Sequence, residues 1–240
     1  MTGNELVYQI YEDLNIQSDD TDITDDYIIQ LINQQRSLWV TNEYSKIGTV
    51  IDSKLIQDLP VAQTEKVDTI LVTDPNTIGF VSNGRYIRTV LEVPRAVETR
   101  TRTLYTRIGA PDSLALEYPF IPYSQINYSG NGRFNTDVTH AFHSMDHIYL
   151  TSNTETHQFV KGINIRGVFE DPIEAFNFNR TATECWTMDN EYPLSERLFN
   201  YIKPKILEQF IQRIQMPVDD TNDANDKPAV QQQPTRNTRR

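Results

Sequence analysis

Residues 1–46, MTGNELVYQIYEDLNIQSDDTDITDDYIIQLINQQRSLWVTNEYSK, decide how the chain reads. Thr2 and Glu5 stand at capping-box spacing, each side chain satisfying a free backbone N–H of the opening turn. Leu6, Val7, Ile10, Tyr11 and Leu14 then recur at helical intervals. A second helix is expected from Thr24, with Asp22, Asp25 and Asp26 around its electropositive N-terminus and Ile28, Leu31, Ile32, Leu38 and Trp39 in one apolar stripe. Helices of a few turns are marginal in water without a surface to cover. The hairpin must therefore pack on another part of the chain or on another subunit.

After Tyr44 the helical period gives way to β-branched and aromatic residues broken by turn dipeptides, so the middle of the chain reads as a β domain. Strands are expected at 48–59, 69–73, 78–81, 86–93, 100–108, 134–142, 147–152, 159–160 and 163–169, with hairpin turns at Asn83-Gly84 and Gly130-Asn131-Gly132. Pro111, Pro119 and Pro122 make the stretch between them loop-like. Glu170-Asp171-Pro172 ends the last strand and opens a short helical turn. A third long helix follows, with Pro193 at its first position and Leu194, Leu198, Ile202, Ile206 and Phe210 in its apolar stripe. Pro204 lies inside this run and predicts a kink or two consecutive helices. From Met216 onward Pro, Asp, Asn, Gln and Thr dominate, which predicts a tail that is disordered when free.

The expected architecture is α+β. A helical bundle from residues 1–46 and 193–216 carries an inserted antiparallel β domain over 47–192, and partners order an extended tail over 217–240.

The chain has 240 residues and a net charge of −11. Residues 1–46 hold nine acids against Arg36 and Lys46, a net charge of −7, whereas 85–107 hold six arginines against Glu92 and Glu98, a net of +4. One surface could pair with the other on a neighbouring copy, although most charge runs are simply solvated faces. Alternation in Thr99-Arg100-Thr101-Arg102-Thr103 would place Arg100 and Arg102 on one face of a strand, toward phosphates or carboxylates. The acidic balance argues against sequence-specific DNA binding, yet allows the protein to enclose DNA without gripping it. A single cysteine, Cys185, excludes an internal disulfide, and no leader or long apolar run is visible, so neither secretion nor membrane insertion is expected.

Catalytic chemistry finds little support. His140, His143 and His147 are poorly spaced for one metal, since strand alternation points the first two to opposite faces. The acids from Asp19 to Asp26 lack the glycine and closing glutamate of a calcium loop, and helix capping explains them more simply. Cys185 has no framing motif, and adjacent Glu170 and Asp171 would point apart on a strand. No enzyme activity, cofactor or metal is expected.

Several phrases carry a resemblance. They are Glu5-Leu6-Val7-Tyr8-Gln9-Ile10-Tyr11, the run Ile28 to Trp39, Ile56-Gln57-Asp58-Leu59-Pro60, Gly130-Asn131-Gly132-Arg133-Phe134-Asn135, Gly167-Val168-Phe169-Glu170-Asp171-Pro172 and Tyr192-Pro193-Leu194-Ser195. In this order they resemble the head-to-tail connector, or ring, proteins of short-tailed double-stranded DNA phages, most of all those of crAss-like phages. The resemblance implies a structural virion protein, made in the host cytoplasm, that forms a homo-oligomeric ring of about twelve copies. It further implies contact with the portal and other tail or ring proteins, and an acidic lumen through which DNA slides. The residues expected at interfaces are Arg100, Arg102, Asp19, Asp20, Val218, Val230, Arg236, Arg239 and Arg240. Two rivals remain. One is a receptor- or carbohydrate-binding tail component built around Tyr118, Phe120, Tyr123 and Tyr128, and the other a cell-wall-cleaving virion enzyme.

Overall fold

The computed structural model describes residues 1–14, 23–46, 50–67, 86–112, 116–128, 137–152, 157, 159–181 and 184–215. The strands expected at 69–73 and 78–81 and the turns at Asn83-Gly84 and Gly130-Asn131-Gly132 lie outside these residues.

Both N-terminal helices start where their caps dictate. The Thr2 N–H donates to Glu5 Oε2 at 2.9 Å and the Glu5 N–H to Thr2 Oγ1 at 3.2 Å, which opens α1 (Gly3–Leu14). Thr24 Oγ1 accepts from the Tyr27 N–H and opens α2 (Asp25–Tyr44). Ile28, Leu31 and Ile32 of the expected stripe are buried, but Leu38 is 57% exposed, and the buried face of α2 also takes in Ile29, Gln35, Arg36, Val40 and Tyr44. Trp39 is half-buried at the edge of this core.

After α2 the described residues form a seven-stranded antiparallel sheet. Its strands are β1 (Gln57–Asp58), β2 (Ala62–Lys66), β3 (Tyr86–Thr89), β4 (Tyr105–Gly109), β5 (His140–Ser144), β6 (His147–Thr151) and β7 (Gly162–Gly167). β1 and β2 follow one another along one edge of β7, and β4 takes the other edge. β2 then crosses to β3, followed by β6 and β5. The sheet curls into a half-barrel, and residues 116–121 reach both β4 and β5. Tyr118 N–H donates to Ile108 O of β4 at 2.7 Å, while Ala141 N–H of β5 donates to Pro119 O at 2.9 Å. Alternation sends Ile87, Ile108, Ala141, Ile148, Leu150, Ile163 and Ile165 into the curl. Phe142 and Tyr149 fall on the other side and stack at 5.2 Å. The β5–β6 hairpin turns on Met145 and Asp146, both at positive φ as a two-residue primed turn requires.

Asp171 caps the short α3 (Pro172–Asn177), accepting from the Ile173 N–H at 2.8 Å. α4 (Glu196–Gln215) starts three residues later than expected and continues through Pro204 as one helix. It runs antiparallel to α2, because Tyr27 meets Phe210 and Trp39 meets Tyr201.

A helical bundle with an inserted β domain is therefore the wrong description. The chain is sheet-rich, a curled antiparallel half-barrel with only four α-helices among the described residues. α1, α2 and α4 do touch, but they do not close a core among themselves. Leu55, Val97, Leu104 and Val168, from the sheet and its connections, complete the cluster that covers them. Several strand assignments change with it. Residues 159–160 are not a strand, and the described part of the 48–59 segment is a 3-10 turn at Ser53–Leu55 plus the two residues of β1. The 100–108 strand begins only at Tyr105, and Ala62–Lys66, too polar to stand out, is a strand pinned between two neighbours.

Candidate assembly interface

Arg36 is the arginine around which the subunit is built. It lies on α2 with 0% exposure and aims its fork at three segments distant in sequence. Nη1 donates to Phe169 O at 2.8 Å, Nε to Pro193 O at 3.2 Å and Nη2 to Leu55 O at 3.4 Å. Burial lowers its pKa, with Tyr192 and Asp171 working the other way, yet a guanidinium keeps its charge in such a site. Around it the Tyr192 hydroxyl donates to Asn33 Oδ1, Asn33 Nδ2 donates to Asp171 Oδ1 at 3.3 Å, and Ser37 Oγ donates to Glu170 O at 3.0 Å. Gln57 Nε2 adds a bond to Pro172 O at 2.9 Å. Four of the phrases that carried the resemblance meet here: the α2 run, Ile56 to Pro60, Gly167 to Pro172, and Tyr192 to Ser195. Charge counting along the sequence gave no sign that this arginine is internal, because only the fold brings its acceptors together.

The N-terminus is held nearby. Tyr192 N–H donates to Met1 O at 2.9 Å and Asn4 N–H to Met188 O at 2.9 Å, fixing the start of α1 against residues 188–192. A Cβ on Gly3 would stand 2.8 Å from the Trp186 ring, so only glycine permits this approach.

Arg100 and Arg102 have the opposite surroundings. They occupy a tight exposed turn closed by Thr99, whose N–H donates to Arg102 O at 2.9 Å and whose Oγ1 accepts from the Arg102 N–H at 3.1 Å. The Glu98–Thr103 bridge sets the base of the turn, and the Arg100 N–H reaches Ser45 Oγ at the C-terminal end of α2 at 3.5 Å. Neither guanidinium forms an ion pair among the described residues. Beneath the turn lies an open groove of about 540 Å³ that includes Arg102, Tyr105 and Phe120. The two arginines thus share a turn rather than a strand face. Asp19, Asp20, Val218, Val230, Arg236, Arg239 and Arg240 lie outside the described residues.

The chemical candidates separate in space. His147 Nδ1–H donates to the Thr89 carbonyl at 2.8 Å, while His140 and His143 sit along β5, and burial lowers the pKa of both. Among the described residues no three His, Cys, Asp or Glu side chains converge on a metal-sized site. Asp171 is committed to capping α3, and the half-buried Cys185 thiol only approaches Thr181 O at 3.6 Å. Of the aromatic loop, Tyr118 belongs to the sheet core and Phe120 packs against it, leaving Tyr123 exposed. No helix among the described residues is long and apolar enough to cross a membrane.

A family model described as phage tail ring protein 2 matches residues 5–232. The chain belongs to that family. It is accordingly a structural, ring-forming protein of the phage tail and a virion component, of a family not known for enzymes. Ring protein 2 of Bacteroides phage crAss001 is 24% identical over 235 residues, which cover 94% of this chain and 97% of that relative.

Proposed function

We propose that this phage tail ring protein is a subunit of the head-to-tail connector, where about twelve copies join the portal to the tail and enclose the path of the DNA. The observation that carries the reading is the separation of charge along the helix layer. Asp25 and Asp26 are exposed at the start of α2, and Arg100 and Arg102 are exposed at its other end, about 30 Å away for a helix of this length. A subunit with unlike ends favours contacts between unlike faces, which close into rings. Acids turned to the lumen would repel phosphates and leave the genome free to slide. The subunit is made in the host cytoplasm and functions in the virion, without a membrane.

Electron micrographs of particles carrying a tagged copy test this directly. Tag density in a ring coaxial with the portal is the expected result, with its rotational symmetry giving the copy number. Tag density on peripheral spikes would instead favour the receptor-binding alternative.

Residues 217–240 are the second part of the proposal. Their composition offers Val218 and Val230 as small anchors and Arg236, Arg239 and Arg240 as cations, so they act as a strap onto a neighbouring ring subunit or the portal. Deleting them should leave the melting temperature of the isolated subunit within about a degree while weakening attachment. A truncated subunit that attaches as well as the full chain would refute the strap.

A further inference from the structure

The helix layer turns two different stripes outward. On α1, Glu5, Tyr8 and Glu12 recur at three- and four-residue spacing, on the side away from buried Leu6, Val7 and Ile10. Tyr8 is 67% exposed, and Glu12 has no partner among the described residues. On α4, Arg197, Tyr201 and Lys205 recur every fourth residue, away from buried Leu198, Ile202 and Ile206. Tyr201 is 55% exposed, with the Lys205 ammonium 4.8 Å from its ring centroid. The second stripe widens onto α2, where the Trp39 ring lies 6.2 Å from that of Tyr201 and Leu38 stands exposed. Each stripe is therefore an exposed tyrosine beside charged side chains, acidic on α1 and mainly basic on α4, where exposed Glu208 lies one turn beyond Lys205.

The two stripes cannot meet within one subunit. An ion pair of 2.7 Å between Asp13 and Lys203 holds α1 beside α4, and α1 buries its opposite side in the shared core. We infer that the α1 stripe of one copy seats on the α4–α2 stripe of the next, Tyr8 against Leu38, Trp39 and Tyr201, and Glu12 facing Arg197 or Lys205. The occupant is a second copy of this chain because charge and apolar content match stripe to stripe. Exposed aromatic area flanked by opposite charges is also what the centre and rim of an interface require. The contact joins unlike faces, so it propagates around a ring instead of stopping at a dimer. This deepens the ring reading proposed above and rests on it.

Full-length protein in assembled particles tests the contact. In a Cys185→Ser background, Tyr8→Cys and Tyr201→Cys together, treated with a short bis-maleimide, should give a ladder of covalent multimers, and each single variant should stay monomeric. No ladder in particles whose micrographs show the ring would overturn the contact and leave the ring reading standing. Dimers from Tyr8→Cys alone would overturn it too, since they would mean that like stripes meet. A charge exchange guards against loss of packing from the cysteines. Glu12→Arg and Arg197→Glu should each lower ring yield about tenfold or more, and the double variant should recover to within about twofold. A double variant no better than either single would also overturn the contact. Wild-type particles without any ring would remove the ring reading, and the contact with it.

Discussion

Arg36 and the Arg100–Arg102 pair are the same residue type in opposite circumstances. Arg36 has no exposure and spends its donors on the carbonyls of Leu55, Phe169 and Pro193. Arg100 and Arg102 stand on an exposed turn whose stiffness comes from Thr99 and whose charge meets no carboxylate among the described residues. The difference separates what holds the subunit together from what remains for its neighbours. A buried guanidinium without its acceptors would be ruinous, so the fold must satisfy it before anything else can assemble. An exposed one costs nothing to leave free and carries its field outward.

The hardest blow to that contrast is Arg36→Met. It leaves three carbonyls without their donor, and unpaired buried groups cost about 1–3 kcal/mol each, so a loss of about 3–5 kcal/mol is expected in denaturant unfolding. A loss below about 1 kcal/mol would mean that the junction is ornamental.

Next in size is Tyr192→Phe. It removes the hydroxyl from Asn33 Oδ1 while keeping the ring in the core, for about 1 kcal/mol. In a double-mutant cycle with Asn33→Ala the two changes should couple by at least about 0.5 kcal/mol, and simple additivity would show that they act separately.

Acid should act on the sheet more gently. Burial holds His140 and His143 below their ordinary pKa of 6.5, so both bind protons more readily unfolded than folded. Their contribution is present above pH 6.5 and is lost as the pH falls through the lower folded values. Melting temperatures should therefore decline with pH more steeply for the wild type than for a His140→Gln/His143→Gln variant. Parallel slopes would assign the acid sensitivity to the carboxylates instead.

The smallest effect on stability should come from Arg100→Glu/Arg102→Glu, within about 0.5 kcal/mol of wild type, because nothing in the subunit depends on those charges. Ring formation should nevertheless fall. A variant that assembles normally would reduce the turn to a solvated face.

How much of this the sequence disclosed follows from how local each feature is. The Thr2–Glu5 box, the helix start at Thr24 and the helical turn opened at Glu170-Asp171-Pro172 each depend on residues a few positions apart, and all three stand where the pattern put them. β6 and β7 were legible because alternation and β-branching agree with their burial. Ala62–Lys66 was not, since a polar stretch becomes a strand only through the neighbours on its two sides. Arg36 escaped for the same reason, its acceptors lying 19, 133 and 157 residues away. The fold class went wrong at the next level up. Amphipathic helices at both ends of a chain suggest that they cover each other, and periodicity cannot reveal that Leu55, Val97, Leu104 and Val168 supply part of the cover. Of the interface residues named from sequence, Arg100 and Arg102 proved exposed and, among the described residues, without an ion pair, but on a turn, because a threonine that binds its own backbone two and three residues on favours a turn over a strand.

Residues 116–121, which bond to Gly109 and Ile108 on one side and to Ala141 on the other, have a consequence for packing many copies at close quarters. An open sheet edge is a template onto which any identical chain can add a strand, and a sheet with two such edges can grow without limit. Here one short segment bonds to the outer edges of β4 and β5 at once, at Ile108 to Ala110 and at Ala141, so at these places the chain's own backbone takes the edge. Copies crowded together before assembly are thereby steered away from fibre-like growth through the sheet, and recognition is left to side chains, where charge and shape can limit the count.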